Sequence, residues 1–466
     1  MRWLILPAVL TLAVTAHGAE PWEEVSGALG QVEALPSGAL SKAELEDLIA
    51  IGDELFIAKF TSAEGAGRPA ATQAILPTKR RNPATSAFAR TSGSDSNACS
   101  SCHNDPVPGG AGDFAATTFV SEGFTNSDFD TTDPQFSNER GTNHLFGAGL
   151  VELLAREMTA GLHAQRAAAL VKARQTGAPQ TVDITTKGVS FGSITARPDG
   201  IVDTSNRDGI DADLVVKPFG QKGVMVSLRQ FSVNAMNHHH GMQPVERFGP
   251  RWTGEADHDG DGFADEIRAA DISALVAWQA TLEPPARITP EDTTWRDLAA
   301  TGSQNFDAFG CATCHIRTLP LDSLSFADPG PLDTAGTLKD RDVAEPAVYE
   351  LEFLEWAKTL ERDDQGRVLV PLFGDLKRHT MTDRTNERLG NELLAQRFVD
   401  RTAFATTELW GVASTAPYGH RNDMTTLDEI IRAHGGEAAQ SAMAYRDATD
   451  RHRTTLIAFL KTLVLN

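Results

Sequence analysis

Apolar residues recur at helical spacing in two well-separated stretches of this chain, and the two stretches resemble each other. Leu45-Glu-Asp-Leu-Ile-Ala-Ile-Gly-Asp-Glu-Leu-Phe56 and Trp295-Arg-Asp-Leu-Ala-Ala-Thr-Gly-Ser-Gln-Asn-Phe306 each predict a helix with one apolar face. Ile272, Leu275, Val276, Trp278 and Leu282 predict an amphipathic helix further on, and Leu456, Phe459, Leu460 and Leu463 predict a second one at the end of the chain. Pro284-Pro285 breaks the first set from the second. The expectation is a mainly α chain of two related halves, residues 20–285 and 286–466.

Two tracts depart from this pattern. From Val182 to Phe219 the residues alternate, and Arg197-Pro-Asp-Gly200 and Arg207-Asp-Gly209 supply turns, which predicts a small β-ribbon inserted in the first half. The tract from Thr85 to Gly112 is rich in Ser, Gly, Asn and Pro and predicts an irregular wrap.

The N-terminus carries one basic residue, an apolar run and small residues up to Ala19, which reads as a secretory signal over residues 1–19. No cysteine stands at the cleavage position to take a lipid, and no later segment is long and apolar enough to predict a membrane span. A net charge of −21 counts against nucleic acid as a partner, because a polyphosphate binder needs a basic face. It favours a partner with a basic patch, such as a small donor cytochrome or cupredoxin.

All 4 cysteines fall in two CxxCH motifs, Cys99-Ser-Ser-Cys102-His103 and Cys311-Ala-Thr-Cys314-His315. Two thiols at this spacing can each add to a vinyl group of one haem, and the next histidine is placed to ligate its iron. A structural zinc site would need further Cys or His at partner spacing, and a redox dithiol would not require a following His in both copies. Each half then has the plan of a cytochrome c domain: helix, haem loop, closing helix. Attachment at CxxCH takes place outside the inner membrane in bacteria, so motif and signal agree on the periplasm.

The sixth iron ligand decides between carrying electrons and activating a small molecule. Spacing alone offers His379, Met381, His420 and Met424 for the second centre. The run Phe404-Ala-Thr-Thr-Glu-Leu-Trp410-Gly-Val-Ala-Ser-Thr-Ala-Pro417-Tyr418-Gly-His420, continuing through Leu427-Asp-Glu429 to His434-Gly435-Gly436-Glu437, resembles the signature of the di-haem oxidoreductase (thiol-oxidoreductase-like) family. That family is related to the bacterial di-haem cytochrome c peroxidases, whose stretch reads roughly TPxLRNVxxTAPYxHDG and then TLEEAV. Arg421-Asn422 stand where the family has Asp-Gly.

The resemblance implies roles residue by residue. Leu372-Phe-Gly-Asp375-Leu-Lys-Arg-His379-Thr-Met381 is similar to the family's SDLxxHDM segment, which makes Met381 the distal ligand of the second haem and His379 a supporting residue. In the peroxidases a Gln, and ten positions later a Glu, line the distal pocket of the first haem. Here Gln230 is followed at that spacing by His240, in Asn237-His238-His239-His240-Gly241, so an imidazole replaces the carboxylate as proton shuttle. The same histidines also read as a closing iron ligand, a solvated cluster or an adventitious metal site. Arg140 to Glu152 is similar to the RxxPxLxGxGLLE segment, with His144 in place of Pro, and Glu152 is there either a catalytic carboxylate or a helix cap.

Asp257-His-Asp259-Gly-Asp261-Gly262-Phe-Ala-Asp265-Glu266 begins like an EF-hand calcium loop, although Arg268 stands where the bidentate Glu would be. Asp257, Asp259 and Asp261 are the expected ligands, completed by Asp265, Glu266 or a distant group, and the rival reading is a hydrated acidic turn before the helix. The leading expectation is thus a periplasmic, peroxidase-like oxidoreductase with two covalent c-type haems, in which electrons pass from the His315/Met381 haem to the His103 haem. Gln230, His240 and Glu152 are its candidate catalytic groups, and peroxide or another small oxidant its substrate. Trp278 and Trp410 are candidate stations on the electron route or core residues. The rival expectations are a plain two-haem electron carrier and a di-haem oxygenase or protein-oxidising enzyme.

Overall fold

The computed structural model describes residues 22–82, 96–120, 137–392 and 396–465. The expected secretory segment and positions 85–95 of the irregular tract lie outside them. In chain order the main elements are α1 (Lys42–Ile57), α2 (Ala148–Thr176), β1 (Gln180–Thr186), β2 (Val189–Ala196), β3 (Val202–Asp203), α3 (Leu228–His240), α4 (Ala269–Thr281), α5 (Thr293–Ala308), α6 (Leu427–Ala433), α7 (Ala439–Asp447) and α8 (Asp450–Leu460). Among the described residues no helix is long and apolar enough to cross a membrane.

Local chemistry sets the helix starts. Ser41 and Glu44 form a reciprocal capping box on α1, and Thr426 and Glu429 form another on α6. Asp292 accepts the Trp295 amide at 2.7 Å on α5, and Thr449 accepts the His452 amide at 3.3 Å on α8.

The two halves repeat one packing unit. α1 crosses α4 at Gly52, where a methyl group would overlap the Ala274 carbonyl oxygen and Trp278 Cβ. α5 crosses α8 at Gly302, where a methyl would overlap the Thr455 carbonyl oxygen and Phe459 Cβ. Glycine stands at the same place in both apolar stretches because the backbones touch there. One turn later Phe56 packs on Trp278 with ring centroids 4.1 Å apart, and Phe306 packs on Phe459 at 5.5 Å. Leu463 lies beyond α8 in a short strand that pairs with Ala286–Arg287.

The expected ribbon is a three-stranded antiparallel sheet, β1-β2-β3, packed on α2. It ends at Asp203; beyond it only an isolated bridge from Gly192 to Arg207 continues the pairing. Other small sheets of two or three strands are scattered through the second half, so helix predominates less than the apolar periodicity implied. Short strands bounded by Pro and Gly give too few residues for alternation to register.

The cores do not divide at residue 285. Leu319, Phe326, Tyr349, Val368 and Val370 belong to the larger core together with α1, α2 and α4, and Gly38–Ala39 pairs in parallel with Ala347–Val348. Fully buried Arg229 on α3 binds Glu246 at 2.7 Å and Asp328 at 2.8 Å, and Tyr349 also donates to Asp328. An excursion from the second half is therefore built into the first. The smaller core, with Phe306, Phe373, Tyr418 and Phe459, comes from the second half alone.

Candidate functional site

Each CxxCH motif forms one turn of 3₁₀ helix directed into the interior. The Cys99 carbonyl accepts the Cys102 and His103 amides, both at 3.1 Å, and the Cys311 carbonyl accepts the His315 amide at 3.0 Å. No disulfide joins the four cysteines. Burial pushes the Cys99 thiol up to about 12 and the Cys311 thiol up to about 11. A reactive redox dithiol requires the opposite shift.

Both turns open on one continuous cavity of about 520 Å³, bordered by all four cysteines, His103 and His315. Apolar side chains such as Phe56, Leu145, Phe231, Phe404, Ile431 and Leu460 form much of its wall. The donor set and the walls fit two haems held covalently, one per motif. His315 supports this most directly: its Nδ1 meets the Phe373 carbonyl at 3.1 Å, which leaves Nε2 as the lone-pair nitrogen. His103 Nδ1 is buried without a hydrogen-bond partner among the described residues. Burial lowers both imidazoles to about 4, so they stay in the neutral form that a metal accepts.

Around the second motif the cavity meets Met381, His379 and His434. His379 is held at both nitrogens, by Asp375 at 2.9 Å and Glu437 at 2.7 Å. Burial opposes its charge, but the bonds to Asp375, Cys314 and Glu437 outweigh this and raise it to about 11. Although Cys314, Asp375 and His379 converge closely, no lone pair of that imidazole is left for a cation. Sequence reasoning gave His434 no role. Its Nδ1 meets the Ile430 carbonyl at 2.7 Å, the same anchoring as His315, and its charge is felt at His315. Its position at the end of α6, just before two glycines, was the only signal.

Around the first motif all of His238, His239 and His240 border the cavity, with His144. Neighbouring rings of the run stand 6.2 and 6.3 Å apart, and consecutive positions on α3 point in different directions, so the three do not converge on one ion. His240 is buried, with Nδ1 2.9 Å from the Ser96 carbonyl and Nε2 3.4 Å from Cys99 Sγ. His144 Nε2 lies 3.2 Å from the Trp410 carbonyl. Trp410 borders the cavity and its ring packs on Gly147 of the first half, whereas Trp278 is core against Phe56.

Two expected catalytic groups sit elsewhere. Gln230 does not border the cavity: its Oε1 accepts the Val226 amide at 2.8 Å and its Nε2 donates to Thr334 at 2.9 Å. Both ends of that amide are spent inside the protein. Glu152 is fully buried, paired with Arg156 at 2.5 Å, and accepts the amide of Leu228, the first residue of α3, at 2.7 Å. Its place is that of a helix cap.

A buried ionic cluster borders the cavity where the halves meet. Glu392 binds Arg140 at 2.6 Å and Lys222 at 2.7 Å, and His420 lies 3.8 Å away. Lys222 also sits 3.4 Å above the Phe404 ring. Two cations face one carboxylate, and Arg140 Nη2 and both His420 nitrogens have no hydrogen-bond partner among the described residues. The surplus positive charge next to the cavity suits the carboxylates of a haem. Glu408 also borders the cavity, and burial raises its carboxyl to about 7. Glu392 stands in none of the motifs, and Glu408 lies inside the run 404–410 at a position to which the resemblance gives no role.

In the acidic loop Asp257, Asp259 and Asp261 present their oxygens within 4.8 Å of one another. Burial and the other two aspartates raise Asp259 to about 8. Asp265 does not join them: it is exposed, at positive φ. Glu266, the next residue, points inward instead and is buried.

No protein-family model and no curated protein matches this sequence. Among solved structures, a hydrazine synthase of Kuenenia stuttgartiensis aligns over 99% of this chain and 100% of its own, at 10% identity and a TM-score of 0.37. A MauG-like protein associated with microbial copper homeostasis aligns over 67% of this chain and 88% of its own, at 16% identity and a TM-score of 0.28. Both similarities are too low to carry a functional conclusion, which rests on the site's own geometry.

Proposed function

We propose that this chain is a c-type, two-haem oxidoreductase of peroxidase-like type. One haem would be held by Cys99, Cys102 and His103 and the other by Cys311, Cys314 and His315. The single observation that carries this reading is that all six side chains border one cavity together with Met381, His434 and the His238–His240 run. When bound, the haems supply one-electron transfer and an iron position open to a small oxidant.

The chain's own residues divide the work. On the second side Met381 or His434 is available to close the iron, which suits electron entry from a donor such as a small cytochrome or cupredoxin. Trp410, which borders the cavity and packs on Gly147 of the first half, is the aromatic station between the halves in this reading. On the first side His240 is the proton carrier. With Nδ1 held by the Ser96 carbonyl, its Nε2, 3.4 Å from Cys99 Sγ, is the nitrogen that would take one proton from peroxide and return it to the leaving oxygen. Reduction of one peroxide to two waters consumes two electrons and two protons, so the donor must be oxidised in a two-to-one ratio. A periplasmic location belongs to this reading.

Peroxide-dependent oxidation of a reduced c-type cytochrome by the holoprotein tests it. Turnover at that ratio is expected; none with any small reduced donor overturns it. A specific observation favours the electron carrier as second reading: His144 and the His238–His240 run border the same cavity as His103, so histidines are available on the first side as well.

A further inference from the structure

We propose that residues 257–266 form a calcium site, built by Asp257, Asp259 and Asp261 and closed by Glu266, which fastens the chain just after His240 to the start of α4. The decisive group is Asp259. It is fully buried, and neither of its carboxylate oxygens has a hydrogen-bond partner among the described residues. A carboxylate removed from water in this way needs a counter-charge.

Among the described residues no ion pair supplies one. Asp257 spends its oxygens on the Gly260 amide at 2.7 Å and the Gly262 amide at 3.0 Å, and Asp261 accepts the Phe263 amide at 2.8 Å. These bonds shape the loop around Asp259 and leave it unsatisfied. Lys79, the nearby cation, is engaged with Glu255 at 2.5 Å and with the His258 carbonyl. Arg268 pairs with Asp271 at 3.2 Å. Among the described residues no basic side chain forms an ion pair with Asp257, Asp259, Asp261 or Glu266.

The donors are all carboxylate oxygens, which selects a hard divalent ion over a transition metal. Several carboxylates at alternate positions of a loop kinked at Gly260 and Gly262, both at positive φ, suit the large and irregular shell of calcium better than the octahedron of magnesium. Glu266 brings the structural consequence. Its Oε2 accepts the Gln243 amide at 2.6 Å, and Val245 donates to the Ile267 carbonyl at 2.9 Å. The Gly241 carbonyl, directly after His240, accepts the Gly67 amide at 3.0 Å. Occupancy of the loop thus holds the turn that ends α3. This inference does not depend on the haem reading.

The test is calcium titration of chelator-treated, dialysed holoprotein in excess magnesium, by calorimetry and metal analysis, with thermal unfolding alongside. One calcium per chain and a raised unfolding midpoint are expected. Asp259→Ala should weaken uptake at least tenfold, and Asp265→Ala should leave it within twofold. No uptake in excess magnesium, or equal uptake by Asp259→Ala, overturns the site. Where Asp259→Ala does not fold, Asp261→Ala decides: unchanged uptake overturns the proposal and a tenfold loss upholds it.

Discussion

The Nε2 of His240 lies 3.4 Å from the sulfur of Cys99, so the last residue of α3 touches the first CxxCH turn. Gln230, three turns earlier on the same helix, is bound at both ends and faces away from the cavity. His240→Ala should therefore lower peroxide turnover by about 10²–10⁴-fold, the range of a lost acid–base group. Gln230→Ala should change turnover less than tenfold. Initial rates at saturating peroxide, with haem content checked for each variant, separate the two; equal losses would remove His240 from the proton path.

Two covalent haems per chain are expected when the protein matures with haem-attachment machinery. Replacing both Cys311 and Cys314 by Ala should leave one, seen as the loss of one haem mass in intact-protein mass spectrometry. Retention of two would show attachment elsewhere, and zero in the wild type would remove the redox reading.

At the helix crossings, Gly52→Ala and Gly302→Ala each force a methyl against a carbonyl oxygen. Each should cost about 1–3 kcal/mol, as overpacking of a close contact does. Denaturant unfolding of holoprotein measures this. Neutral behaviour at both positions would mean that the helices do not meet as described.

Glu408 should give the protein a pH dependence of definite sign. Burial holds its proton up to about 7 in the folded chain, whereas the unfolded chain loses it near 4.5. Its contribution is full below the unfolded value and is lost as pH rises toward 7. Glu408→Gln should therefore gain stability relative to wild type across that window. A difference that does not vary with pH would show that the carboxyl ionises normally.

The helix pairs and the attachment turns were legible because each is local: apolar period, cap, CxxCH and glycine all lie within a few turns of chain. The sharing of one core between residues 319–372 and the first half was not, since it depends on long-range pairing such as Gly38 with Ala347. Spacing to a family pattern singled out Gln230 and Glu152, but spacing does not say which way a side chain points. Both are drawn off by backbone amides, Val226 for one and Leu228 for the other. Asp265 stands at positive φ and is exposed, while Glu266, the next residue, is the one that is buried. His434 escaped notice because its value lies in a hydrogen bond to Ile430 that no motif encodes.

Optical and electron paramagnetic resonance spectra of holoprotein, fully oxidised and then half-reduced, before and after cyanide or peroxide, test the central claim most directly. The account predicts a low-spin centre beside a high-spin centre that takes up these ligands. Two low-spin centres that ignore both ligands in every redox state would contradict it and leave an electron carrier.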